Sequence, residues 1–312
     1  MTEICILEFP SNLGLRESAP EVEPGVKNLP AWLRKHGFYD LLRPAKVYSI
    51  DPPPYSMVLD KESGVRNADA IARYARQQAV LLEKVLSLPS FPVVIGGDCS
   101  ILIGNALALK KVGRYGLFFL DGHTDFAGPA LSETGGAAGM DLAIVTGHGH
   151  GKLSDIDGMA PYIPEDRVWC VGNRDYDAAY VKAILDSSIH YFDLASLMRD
   201  GITHCITGFL QMLETQELDG FWVHLDVDVL NDDLMPAVDS RQAGGLSYAA
   251  LEIFLQTLLS HPGAIGIEIT ILDPDLDPTG QYTIPFIRHF CAAFNRAREN
   301  GASFPDAFNL QF

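Results

Sequence analysis

The chain has 312 residues, 47% hydrophobic, 20% charged and 10% aromatic. Apolar content that high offsets the entropy of ordering and excludes a disordered polypeptide. With 23 Lys+Arg against 40 Asp+Glu the formal net charge is −17, which disfavours nucleic acid and anionic membrane as partners.

Short apolar runs rich in β-branched and aromatic residues recur along the chain. In order they are Ile4–Phe9, Lys46–Ile50, Phe91–Ile95, Gly116–Leu120, Val168–Gly172, Ile189–Phe192, Phe221–Leu225 and Ala264–Ile269. Several are apolar throughout, as strands covered on both faces should be. Helical patterns lie between them, the clearest from Asn67 to Leu88 with Asn67 as N-cap and Pro89 beyond its end. Others are Ser100–Lys111, Asp177–Asp186, Ile202–Thr215, Ser247–Ser260 and Pro285–Asn300. Strand–helix alternation predicts an α/β fold, a parallel sheet with helices on both sides. Pro/Gly clusters at Asp51–Tyr55 and Gly135–Gly151 read as loops. No linker or repeat divides residues 1–312, so one domain is expected.

Five scattered cysteines (Cys5, Cys99, Cys170, Cys205, Cys291) do not form a disulfide framework and suit a reducing, cytoplasmic compartment. No run approaches the roughly 18 apolar residues of a membrane span. The opening MTEICILEFP lacks the basic flank and apolar length of a secretory signal.

In open α/β sheets ligands bind beyond the carboxyl ends of the strands. There the sequence places Gly96-Gly97-Asp98-Cys99-Ser100, Asp121-Gly122-His123-Thr124-Asp125, Asp175 with Asp177, and Asp226-Val227-Asp228. Residues two apart in extended chain share a side, which would gather Asp121, His123 and Asp125, and likewise Asp226 and Asp228. Several carboxylates brought together without a cation must bind protons or destabilise the fold. A pair of divalent ions removes that cost and lowers the pKa of a water between them towards neutrality.

These motifs resemble the ureohydrolase superfamily of arginases, agmatinases and formimidoylglutamases. The likeness runs nearly the full length: GGDCS at Gly96–Ser100, DGHTD at Asp121–Asp125, GNRDYD at Gly172–Asp177, HLDVDVLND at His224–Asp232 and MPAVDSRQAGGL at Met235–Leu246. It implies a three-layer α/β/α fold with a mainly parallel eight-stranded sheet, a binuclear manganese centre and a trimer or hexamer. It also implies that Asp121 and Asp226 bridge two metals, His123 and Asp228 complete one, and Asp125 and Cys99 complete the other. Asp125 would also orient the attacking hydroxide and take its proton. Asp175 and Asp177 match positions that bind the amino end of an arginase substrate, and Arg174 beside them would brace its loop through an ion pair.

Three departures bear on chemistry. Cys99 stands where the family has His, and a thiolate shifts preference towards Zn²⁺, Fe²⁺ or Co²⁺ relative to Mn²⁺. Ala138 stands at the proton-shuttling His. Ile271 stands at the Glu that grips a guanidinium, and Glu268, three residues earlier, would face the opposite side of a regular strand. His148 and His150 are candidate proton donors from a nearby loop, and His224 a candidate to hydrogen-bond a ligand carboxylate. The expected activity is hydrolysis of a non-peptide C–N bond in a small guanidine, amidine, formimino or ureido compound, outside arginase and agmatinase specificity. The alternatives are an inactive binding or regulatory protein and a mononuclear, zinc-dependent amidase or deacetylase.

Overall fold

The computed structural model describes residues 3–174 and 177–301. Eight strands, β1 (Glu3–Glu8), β2 (Lys46–Ser49), β3 (Ser90–Ile95), β4 (Tyr115–Leu120), β5 (Val168–Val171), β6 (His190–Phe192), β7 (Gly220–Asp226) and β8 (Ala264–Thr270), form one sheet in the order β2-β1-β3-β8-β7-β4-β5-β6. Every neighbouring pair is parallel. The strands predicted from apolar runs all form, within two residues at each end.

Burial explains the order. Every residue of β4 and β7 is buried, whereas the edge strands β2 and β6 are largely exposed or half-buried. Side-chain alternation sends neighbouring residues to opposite faces. Phe118, Val223 and Ile267 pack towards α1 (Leu29–Lys35), α2 (Phe38–Leu42), α8 (Leu194–Asp200), α9 (Ile202–Thr215), α10 (Tyr248–Leu259) and α11 (Thr283–Gly301). Phe119, Trp222 and Val94 pack towards α3 (Ala68–Leu86), α4 (Ile101–Val112), α5 (Asp141–Val145), α6 (Gly151–Ser154) and α7 (Ala178–Leu185). The result is a three-layer α/β/α fold. Among the described residues no helix is long and apolar enough to cross a membrane.

Two local expectations are corrected. Asn67 precedes α3 but does not cap it. Its backbone is left-handed (φ 56°) and its amide donates instead to the Leu13 carbonyl at 2.9 Å. The Gly135–Gly151 stretch is not all loop. It contains α5, whose apolar residues are buried all round and so carry no one-sided stripe to read from sequence.

Candidate metal centre

The four central strands, β3, β8, β7 and β4, end side by side, and the chemistry sits on their carboxyl ends. After β3 the backbone passes so close to the N-terminal segment that a Cβ on Gly97 would lie 1.7 Å from the Ser11 carbonyl oxygen. Asp98 locks this approach by accepting from Ser11 Oγ (2.8 Å) and the amides of Gly14 (3.1 Å) and Ser100 (2.8 Å). Cys99 is thereby held inward, its Sγ 3.0 Å from Asp226 Oδ2 and 3.1 Å from Thr270 Oγ1.

Asp121 and Asp226 each fold the chain back on themselves. Asp121 Oδ1 accepts from the amide of His123 (2.6 Å), and Asp226 Oδ1 from that of Asp228 (2.7 Å). The spacing of two therefore converges through side-chain-to-backbone turns, not through extended alternation. The Gly122 amide donates to Asp228 Oδ1 at 2.9 Å and joins the two loops, and His123 Nδ1 lies 2.7 Å from Asp228 Oδ2. Arg174 is nearly buried and braces the assembly through the carbonyls of Asp228 (2.9 Å) and Gln242 (3.0 Å), where the sequence predicted an ion pair.

Three overlapping groups have ligand atoms within 4.8 Å of one another: Asp121–His123–Asp228, Cys99–Asp121–His224–Asp226 and Cys99–Asp125–Asp141. All six residues expected as metal ligands are thus brought together. Asp141 joins them from the start of α5, within the Gly135–Gly151 stretch whose Gly-rich pattern reads as loop and gives no sign of a ligand. It is fully buried and its Oδ2 has no hydrogen-bond partner.

The electrostatics call for positive charge. Burial raises the carboxyls of Asp121, Asp141 and Asp226, and neighbouring carboxylates raise them further: Asp228 beside Asp121 and Asp226, Asp125 beside Asp141. Burial also pushes the Cys99 thiol up, and Asp226 adds to it. Asp228 is the exception: burial disfavours its charge, but His123 and the Gly122 amide outweigh this and bring its carboxyl below the usual value. Protonless carboxylates, an imidazole and a thiolate fit divalent cations, and Asp121 Oδ2 and Asp141 Oδ2 lie buried and unpartnered where such ions would bind.

Above the cluster opens a cavity of about 240 Å³ lined by Cys99, His123, Asp125, Ala138, Tyr180, Asp226, Asp228, Asp239, Ser240 and Ile271. Ala138 and Ile271 face it, as the sequence predicted. The left-handed backbone of Ile271 (φ 76°) follows directly on the end of β8, so the strand is not regular up to this residue. Glu268 nevertheless points to the face opposite Ile267 and Ile269, which pack in the same cluster as Ile271, as the sequence predicts. It lies opposite His224 in the β7–β8 register, on the ligand-bearing side, with Oε1 2.6 Å from His224 Nδ1 and Oε2 accepting from Asn105. It supports the centre from beneath and does not line the cavity.

Other expected residues fall elsewhere. His148 lies outside this cavity, half-exposed, with Nε2 2.6 Å from Glu165 Oε1 and its ring against Phe126. His150 caps α6, its Nδ1 accepting from the Lys152 amide at 3.2 Å. Asp177 caps α7, accepting from the amides of Ala179 and Tyr180. Asp175 lies outside the described residues.

Residues 18–294 match the family model for the arginase family. An arginase of Staphylococcus aureus (strain MRSA252) is 26% identical over 279 residues, covering 88% of this chain and 91% of its own. An arginase of Bacillus caldovelox is 30% identical over 217 residues, 69% and 72% of the two chains. The native Bacillus caldovelox arginase structure superimposes with a TM-score of 0.83 at 26% identity, over 94% of this chain and 98% of that one. The chain belongs to the arginase family of hydrolases.

Proposed function

We propose that this protein hydrolyses a non-peptide C–N bond in a small, cationic substrate of the guanidine, amidine, formimino or ureido type, with a specificity other than that of arginase or agmatinase. The observation that carries this reading is the overlap of three donor groups through Asp121 and Cys99 at the floor of one cavity. Asp121 and Asp226 would be shared between two divalent cations, His123 and Asp228 would hold one, and Cys99 and Asp125 the other. Mn²⁺ is the family's usual metal; the thiol of Cys99 extends the range to Zn²⁺, Fe²⁺ or Co²⁺. Bound cations would offset the buried carboxylates and draw the ionisation of water towards neutral pH.

Asp125, half-buried on the cavity wall, would align the attacking water and accept its proton. Attack would fall on a trigonal carbon bearing nitrogen. The cavity adjoins a larger acidic groove, of about 950 Å³, that includes Glu17, Glu23, Asp232, Asp239, Asp273 and Asp275. That wall favours a positively charged substrate. With Ile271 at one side of the cavity, Asp239 and Glu133 are the lining carboxylates left to meet a cationic nitrogen; Asp239 Oδ2 already accepts from Ser240 Oγ at 3.0 Å. His148 is too far committed to Glu165 to serve as proton donor, and Asp177 is used as a helix cap. We place the activity in a single domain, in the cytoplasm, in a homo-oligomer, on the likeness to the family.

Metal content of protein purified without chelator is the first test, with two equivalents expected. A panel of guanidino, formimino and ureido compounds, scored for urea or ammonia release under Mn²⁺, Zn²⁺ and Co²⁺, is the second. Absence of bound metal together with no release from any compound would instead support a binding protein, the reading favoured by the apolar Ala138 and Ile271 in the cavity wall. A single equivalent would favour the mononuclear amidase.

A further inference from the structure

His224 lies fully buried on the middle of the sheet, a costly place for an imidazole without an assigned task. Its ring is clamped. It stacks on Phe119 of β4, with centroids 4.4 Å apart and planes 6° from parallel, and its Nδ1 lies 2.6 Å from Glu268 of β8. When Nδ1–H donates to that carboxylate, Nε2 is left as the lone-pair end of the ring.

Nε2 has no hydrogen-bond partner, and neither has Asp121 Oδ2, which lies 3.7 Å away. That separation is too long for a hydrogen bond. It is close to the spacing of two atoms on one tetrahedral ion, about 3.3 Å for bonds of about 2.0 Å. Without a cation the two can pair only when the ring carries a second proton; with the ring neutral both atoms are left unsatisfied, and a cation between them would satisfy both. Cys99 Sγ and an oxygen of Asp226 complete a set of four donors within 4.8 Å of one another.

We infer that His224 is itself a metal ligand, holding the cation on the Cys99 side together with Cys99, Asp121 and Asp226. This goes beyond the ligand set proposed above and rests on the two-cation reading. The position then has sulfur, nitrogen and oxygen donors, a set that prefers Zn²⁺, Co²⁺ or Fe²⁺ to Mn²⁺. An arrangement in which a carboxylate fixes the far nitrogen of a ligating histidine is the common one in metal sites.

Binding of ¹¹³Cd²⁺ to protein labelled with ¹⁵N-histidine tests this without any substitution. The expected result is two ¹¹³Cd resonances, each coupled to one imidazole nitrogen. The resonance deshielded by the Cys99 thiolate couples to His224 and the other to His123. In His224→Gln the thiolate-shifted resonance loses its coupling and the other keeps it. Two bound ions with only one coupled to an imidazole would overturn the assignment of His224 and leave the two-cation reading standing. Fewer than two bound ions would overturn both.

Discussion

Glu268 Oε1 lies 2.6 Å from His224 Nδ1, across the β7–β8 register that sets the two residues side by side with both side chains fully buried. Asn105 from α4 donates to the other carboxylate oxygen, so a polar seam runs from helix to sheet beneath the cavity. Removing one member of a buried pair strands the other. Glu268→Leu is expected to lower unfolding free energy by about 3 kcal/mol or more, and Glu268→Gln, which keeps an acceptor for Nδ1, by about 1 kcal/mol. Urea denaturation of the chelator-treated proteins would measure both. Equal losses in the two variants would mean that the pairing does not support the fold.

Asp226 touches Cys99 and belongs to the group shared with Asp121 and His224. Asp226→Asn should reduce bound metal from two equivalents to none if the carboxylate is shared, read by elemental analysis after dialysis. The same substitution should stabilise the chelator-treated protein by on the order of 1 kcal/mol, because it removes one of several repelling buried charges. Opposite effects on the loaded and stripped forms are the signature of a carboxylate held in place for a cation.

The stripped protein should lose stability as pH rises from 5 to 9. Asp121, Asp141 and Asp226 titrate higher in the folded chain than the ordinary aspartate value of about 3.9, so the folded state holds more protons and its advantage fades as pH climbs above that value. Asp228, brought below the usual value, works the other way, but it is one against three. For His224, burial disfavours the charged ring, yet Asp121 and Glu268 outweigh burial and carry its pKa to about 10. Its contribution is complete below the ordinary histidine value of about 6.5 and is lost as pH passes through 10. Cation-loaded protein should show a flatter or rising profile, since binding requires deprotonated ligands. Urea midpoints at four pH values, with and without chelator, check both curves.

Cys99→Ser should weaken Zn²⁺ or Cd²⁺ binding at one of the two positions by tenfold or more while changing Mn²⁺ binding little, and Cys99→His should move the preference towards Mn²⁺. Competition titrations with a chromogenic chelator give the affinities. Unchanged Zn²⁺ affinity in Cys99→Ser would show that the thiol is packing alone.

Asp239 lines the cavity beside Ser240 and, with Glu133, is one of two carboxylates there outside the proposed ligand set. With any substrate found active, Asp239→Asn is expected to raise KM about tenfold or more, the cost of one lost charge-assisted contact, with a smaller effect on kcat. Steady-state kinetics on the variant decide it, and an unchanged KM would direct attention to the acidic groove instead.

Much of the fold was legible in the chain. Fully apolar runs such as Phe91–Ile95 and Phe221–Leu225 announced buried parallel strands, because only a sheet covered on both faces tolerates them. Short helices such as α5 were missed because burial on every side leaves no stripe, and Asn67 failed as a cap because its amide is used by Leu13.

By itself the sequence determined which groups reach the carboxyl ends of the central strands. Asp226 ends β7, and Cys99, Asp121, His123, Asp125 and Asp228 lie in the short turns that follow β3, β4 and β7, so connectivity alone takes them there. Only the tertiary structure decided their partners. Asp141 arrives from a separate helix, and Glu268 meets His224 because β8 inserts between β3 and β7 with one particular register. His148 is drawn away to Glu165. The physical reason is that covalent order fixes where a side chain starts along a strand, whereas contacts between segments far apart in sequence depend on strand order and register, which no local pattern of residues encodes.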